Sequence, residues 1–149
     1  MSPMHEAIAR YLEAKREFIA VGEKCTLKGW IDHKSAIVEA FRLQRLYVEQ
    51  EARRFEYVLS MDDGGERWRS VTELFDRVGQ AWGGEEEEAL SALDAEYGAR
   101  AAEIRQRVPL RQGQSVIKAL EDASRDPEWN VAKDAVARRI GEVSRAFEG

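Results

Sequence analysis

Apolar side chains recur at three- and four-residue steps along nearly the whole chain, and proline interrupts them only at Pro3, Pro109 and Pro127. That spacing returns to one side of a helix each turn, whereas a half-buried strand needs strict alternation. Proline lacks the backbone donor a helix interior uses, so its scarcity leaves room for long helices. The chain is therefore read as all-α. Its 149 residues suit one well-buried core. Short connections make sequential helices antiparallel neighbours. The expectation is a single-domain antiparallel helical bundle of five or six helices spanning residues 1–149.

The pattern divides the chain as follows. A first helix over 4–22 carries Ile8, Tyr11, Leu12, Phe18 and Ile19 on one stripe. Gly22 and Gly29 then bracket a short connection that holds Cys25 and Leu27. A second helix over 33–60, capped by Asp32, turns Ile37, Phe41, Val48, Phe55 and Leu59 inward. A second row, Leu43, Leu46, Tyr47, Tyr57 and Val58, widens its apolar arc, as in a helix with several neighbours. Asp62-Asp63-Gly64-Gly65 breaks the pattern, and a third helix over 66–82 aligns Trp68, Val71, Phe75, Val78 and Trp82. Gly83-Gly84 stops it. A fourth helix over 85–108 opens on Glu85, Glu86, Glu87 and Glu88, where negative charge complements the helix dipole, and Pro109 ends it. A fifth is short, over 114–124. A sixth starts at Asp126-Pro127-Glu128, with proline at the first-turn position it tolerates, and lines up Trp129, Ala132, Val136, Ile140, Val143 and Phe147. The second, third, fourth and sixth helices are expected to supply the main core.

Charge is distributed unevenly. Between Asp62 and Glu96 stand eleven acids and three bases, a local net of −8 against +3 for the rest of the chain. The same stretch holds Trp68 and Trp82. Acid beside large aromatics suits docking to something basic. The basic pairs Lys15-Arg16, Arg53-Arg54 and Arg138-Arg139 lie among acids of similar number, so no phosphate-binding patch stands out. A helix-turn-helix reading of 113–149 meets six bases, seven acids and an acidic turn, where a basic recognition face is needed. Nucleic acid is not an expected partner. No apolar run reaches the ~20 residues of a membrane helix, so no membrane role is expected. The N-terminal residues lack a basic region followed by an apolar one, and Cys25 is the sole cysteine; a reducing, cytoplasmic location is expected. The Ala-, Arg- and Glu-rich helices are compatible with a bacterial source.

Residue types that carry catalysis are sparse. The histidines are His5 and His33, and neither follows a glutamate by three residues, as a di-iron bundle requires. Cys and His ligands are too few for a structural zinc site. Cys25 has no histidine near it in sequence, so an inert, buried thiol is the simpler reading. No cofactor is expected. Two carboxylate groupings warrant a metal test. Asp62-Asp63-x-x-Glu66 has the form of an aspartate-rich Mg²⁺ motif, although Gly64 and Gly65 fit a turn and cap as well. Glu73-x-x-Asp76 places two acids on one helix face, as in all-α nucleotide pyrophosphatases, but Glu49, Glu51 and Glu56 lack the spacing of the Glu-Glu-x-x-Glu helix that such enzymes also carry.

Ala81-Trp82-Gly83-Gly84, followed by Glu88-Ala89, joins two amphipathic helices. The region 66–108 resembles the Trp-x-Gly hairpin of the small WXG-family secreted proteins. The chain is about half again as long as that family's members, and its third helix is short. At the position where the family's export signature places an acid, four residues after Tyr97, it has Ala101. The resemblance implies an exported helical hairpin with a helical partner.

The expected function is a non-enzymatic protein-binding module, most concretely a small acidic inhibitor or immunity-like protein. Its third and fourth helices would engage a basic partner through Asp62, Asp63, Glu73, Asp76, Trp82, Glu85, Glu86, Glu87 and Glu88. A WXG-like secreted protein and a carboxylate/Mg²⁺-dependent all-α phosphohydrolase are the alternatives. At 1.5 Å per residue a 17-residue third helix separates Asp62-Asp63 from the glutamate run by about 25 Å, which makes an acidic edge, not a compact pocket.

Overall fold

The computed structural model describes residues 3–28, 34–60, 70–81 and 118–148, together with single positions 99, 102, 103 and 106. All secondary structure among the described residues is helix and turn, so the protein is all-α. Four helices are defined from end to end: α1 (Pro3–Leu27), α2 (Lys34–Ser60), α3 (Val71–Ala81) and α4 (Pro127–Glu148). Residues 118–123 form a further helical stretch that turns into α4.

The expected start of the sixth helix is where α4 begins. Asp126 Oδ1 accepts the backbone N–H of Glu128 at 2.9 Å, and Pro127 occupies the first helical position, where its missing donor costs nothing. The second helix also matches within a residue, α2 being Lys34–Ser60. The third differs: α3 starts at Val71, with Ser70 Oγ accepting the N–H of Glu73 at 3.2 Å. Ser70-Val71-Thr72-Glu73 is a Ser-x-x-Glu capping sequence that sets this boundary.

The first helix is longer than its apolar stripe suggests. It continues through Gly22 to Leu27, so Cys25 and Leu27 are helical and not part of a connection. A glycine inside a helix costs about 1 kcal/mol relative to alanine. Packing recovers that loss here. A methyl at Gly22 would stand 3.0 Å from Trp129 Cζ3 and 3.1 Å from Phe41 Cε1, so the bare backbone lets α4 and α2 approach α1. Thr26, buried one turn later, donates its hydroxyl to the Gly22 carbonyl at 2.7 Å.

α1 is also the centre of the described core, where the sequence reading favoured the later helices. It packs along both α2 and α4. Met4, Ala7, Ile8, Tyr11 and Leu12 join Phe55, Val58 and Leu59 of α2, Leu74 and Val78 of α3, and Val143 of α4 in one buried cluster. The apolar stripe of α1 understated this role because Ala7, Gly22, Cys25 and Thr26 are small or weakly polar, yet all are buried. Within that cluster Tyr11, Phe55 and Phe75, one from each of three helices, meet edge to face with ring centroids 5.3–6.1 Å apart. Two smaller clusters lie at the other end of α1. Ile37, Phe41 and Ala119 form one; Val21, Cys25, Ala123 and Ala132 form the other.

Ion pairs fix the register of α1 on α2. Arg45 pairs with Glu23, Arg16 with Glu49 at 2.8 Å, and Lys15 with Glu51 at 2.9 Å. Numbers fall in α1 as they rise in α2, so the two run antiparallel. The same holds between α1 and α4, where Lys24 pairs with Glu128 near one end and Ile8 clusters with Val143 at the other. Ile140, on the expected inner stripe of α4, is 38 % exposed and marks the edge of the buried face.

Candidate functional site

Of the expected docking residues, Glu73 and Asp76 are described. Both lie exposed on α3. Helical geometry places them opposite Leu74 and Val78, which are buried against α1 and α2. Glu73 stands in the first turn, where its charge complements the helix dipole. Asp62, Asp63, Trp82, Glu85, Glu86, Glu87 and Glu88 lie outside the described residues, as do Glu66 and the Trp82-Gly83-Gly84 turn.

The acids on the other helices are largely offset by bases. Besides the three α1–α2 pairs, Arg139 meets Glu142 at 2.9 Å, Arg42 meets Glu39 at 3.4 Å and Arg53 meets Glu56 at 3.3 Å. Glu51 takes part in two contacts at once. It accepts both the Tyr11 hydroxyl at 3.2 Å and Lys15 Nζ at 2.9 Å. Burial, and then the charge of Glu51, push the Tyr11 hydroxyl above its ordinary pKa. Burial alone would lower Lys15, but the hydrogen bond and charge of Glu51 outweigh it and raise the ammonium. The raised phenol stays neutral and the raised ammonium stays charged at physiological pH, which suits a structural tie between α1 and α2.

Where α1 ends against the start of α4, Cys25, Asp126 and Glu128 bring their ligand-type atoms within 4.8 Å of one another. It is the one such grouping of three among the described residues. Each carboxylate is already engaged: Asp126 caps α4 and pairs with Lys28 at 3.4 Å, and Glu128 pairs with Lys24 at 2.8 Å. The capping N–H of Glu128, followed by Lys28, holds the Asp126 carboxyl below the usual aspartate range. Burial, with the charge of Asp126, pushes the Cys25 thiol up, so it stays protonated at neutral pH and is a poor nucleophile. A cleft of about 460 Å³ opens beside this corner, lined by Cys25, Thr26 and Lys28 on one side and Asp122, Arg125 and Asp126 on the other.

The sign of the Asp126 shift makes a prediction. A carboxyl depressed in the folded state stabilises it above the unfolded pKa, and that contribution is lost as pH falls through the folded value. Thermal unfolding of the wild type should therefore shift to lower temperature on acidification below about pH 4, the ordinary aspartate range. The Asp126→Asn variant should start from a lower Tm at pH 7 and lose less of it over the same range. Parallel pH profiles for the two proteins would show that the cap is not ionised in the way described.

A second concavity, of about 290 Å³, lies between α1, α2, the 118–123 stretch and α4. Phe18, Ile19, Ala40, Phe41, Gln44, Leu120 and Trp129 line it. Phe18 and Trp129 stand edge to face, with centroids 5.2 Å apart. Compared with known proteins, the chain matches no family model, no curated protein and no solved structure.

Neither the α1–α4 corner nor the apolar pocket was among the residues singled out from the sequence. Asp126-Pro127-Glu128 was legible as a helix start, but its partners Lys24 and Lys28 are about a hundred residues away. The apolar pocket draws on four segments, and its residues read individually as core positions. The residues suited to metal chemistry, Glu73 and Asp76, are not joined by a third metal-ligand side chain among the described residues.

Proposed function

We propose that this chain is a non-enzymatic binding protein, an acidic inhibitor or immunity-like module that docks a basic protein through the region of α3 and the residues that follow it. The observation that carries this reading is the two-sidedness of α3. Leu74 and Val78 fasten it to the core, while Glu73 and Asp76 face outward within the stretch that holds the chain's whole acidic surplus. A local excess of negative charge accelerates encounter with a cationic cleft by 10-fold to 10³-fold at low salt. Trp82, at the end of the same segment, would serve as the desolvated anchor. The fuller architecture in this reading is one antiparallel bundle of five or six helices acting in the cytoplasm, consistent with a buried, protonated Cys25. No helix among the described residues is long and apolar enough to cross a membrane.

The test is kinetic. Once a basic partner is in hand, association is measured by stopped flow at about 20 and 200 mM salt, spanning the range over which screening lengths halve or more. The variant Glu73→Lys/Asp76→Lys, with Glu85 to Glu88 changed to lysine in a second construction, should slow association at least tenfold at low salt and leave dissociation nearly unchanged. Unchanged association rates in both variants would end the charge-steering reading.

A further inference from the structure

We propose that the apolar pocket between α1, α2, the 118–123 stretch and α4 is a binding site for a small neutral aromatic molecule of one or two rings. Size comes first. Apolar cavities of about 150 Å³ already hold a benzene-sized guest. At about 290 Å³ this pocket has room for a fused pair of rings. The lining fixes the chemistry. Among the described residues that line it, six of seven side chains are largely apolar and none is ionisable; the Gln44 amide and the indole N–H of Trp129 are the hydrogen-bonding groups. A charged guest would shed its hydration here with no opposite charge to replace it, so the occupant is neutral. Ionised residues on the helices that form the pocket pair with one another, as Arg45 with Glu23, Arg42 with Glu39 and Lys24 with Glu128.

The wall geometry favours a flat guest. Phe18 and Trp129 are nearly perpendicular, at 83°, so a planar ring can stack on one and meet the edge of the other. Gly22 sets the position of two walls at once, since a Cβ there would press on both Trp129 and Phe41. The amide of Gln44 can then serve one polar substituent at the rim. No α3 residue is among the described residues that line the pocket, so this site stands or falls separately from the acidic edge.

Indole is the probe. The full chain, with ¹³C-labelled methyl groups, is titrated with indole and followed by NMR. The expected result is saturable shifts of the Ile19, Leu120 and Ala40 methyl signals by about 1 mM, the affinity scale of a fragment-sized ligand, with NOEs from indole protons to the same methyls. Ala40→Leu, which fills the pocket from α2 with a good helix former, should weaken binding at least tenfold while the circular dichroism spectrum is retained. Leu120→Phe fills it from the opposite side and gives the same outcome should Ala40→Leu fail to fold. Several results would overturn the proposal. One is the absence of saturable shifts up to the solubility of indole. Another is binding that neither filling variant weakens. A third is NOEs from the Ile19 and Leu120 methyls to residues 82–117 that indole does not displace, which would make the chain its own occupant. The last is concentration-dependent shifts without indole, which would assign the pocket to a second copy.

Discussion

Replacing Phe55 by alanine should lower the stability of this protein by about 3–5 kcal/mol, the range for deleting a buried phenylalanine. Phe55 is 1 % exposed and touches the rings of both Tyr11 and Phe75. Two terms set the size. The lost ring no longer leaves water on folding, and the space it leaves cannot close fully because α1, α2 and α3 all border it. Each edge-to-face ring contact adds about 0.5–1.5 kcal/mol to area burial, and two are lost. For a domain at the lower end of the typical range of about 5–15 kcal/mol, the variant would sit near the edge of folding. The measurement is urea unfolding followed by far-ultraviolet circular dichroism. The midpoint should fall sharply with the slope unchanged. Phe55→Leu, which keeps most of the volume, should lose distinctly less. Equal losses for the two variants would mean that the cavity argument is wrong and that the ring itself, or the unfolded chain, carries the effect.

Phe55 was legible in the sequence because its neighbours in the pattern are large. Ile37, Phe41, Val48, Phe55 and Leu59 repeat at steps of four and seven, and all five are buried. The same rule undervalued α1. Its inward face passes through Ala7, Gly22, Cys25 and Thr26, small residues whose hydropathy is weak but whose size lets neighbouring helices come close. Gly22 illustrates the limit. As a local signal glycine stops helices, and only the positions of Trp129 and Phe41, set by tertiary packing, show why it continues one. The cap of α4 was legible at Asp126-Pro127, whereas the Ser70–Glu73 capping sequence at α3 was passed over in favour of a start at residue 66, after the Gly64-Gly65 break. The α1–α4 corner and the apolar pocket were not legible, because each joins segments whose distance in sequence exceeds the reach of any periodicity. Glu73 and Asp76 were correctly placed as a polar helix face, but which side of α3 the core would take depended on a residue the expected stripe omitted.

That residue is Leu74. The expected row ran Val71, Phe75, Val78, yet Leu74 is fully buried while Val71 and Phe75 are half-buried. Leu74 sits four residues before Val78, so the true inner line of α3 is Leu74 and Val78, with Val71 and Phe75 on its shoulders. The shift rotates the helix by a fraction of a turn and decides where the acids point. Leu74→Ala should cost about 2–5 kcal/mol, the range for a buried leucine. The loss has a second reading through the helix itself. An 11-residue helix is too short to persist alone in water, so α3 holds its shape only while docked. Hydrogen exchange separates the two consequences. In Leu74→Ala the amides of α3 should exchange faster than those of α1 and α4, because the weakened contact opens locally before the rest of the core unfolds. If α1, α3 and α4 accelerate equally, α3 is not a separable element but part of one cooperative unit. In the first case the acidic face is presented by a helix whose order depends on one leucine. Leu74→Ala should then slow association with a basic partner even though every carboxylate is still present.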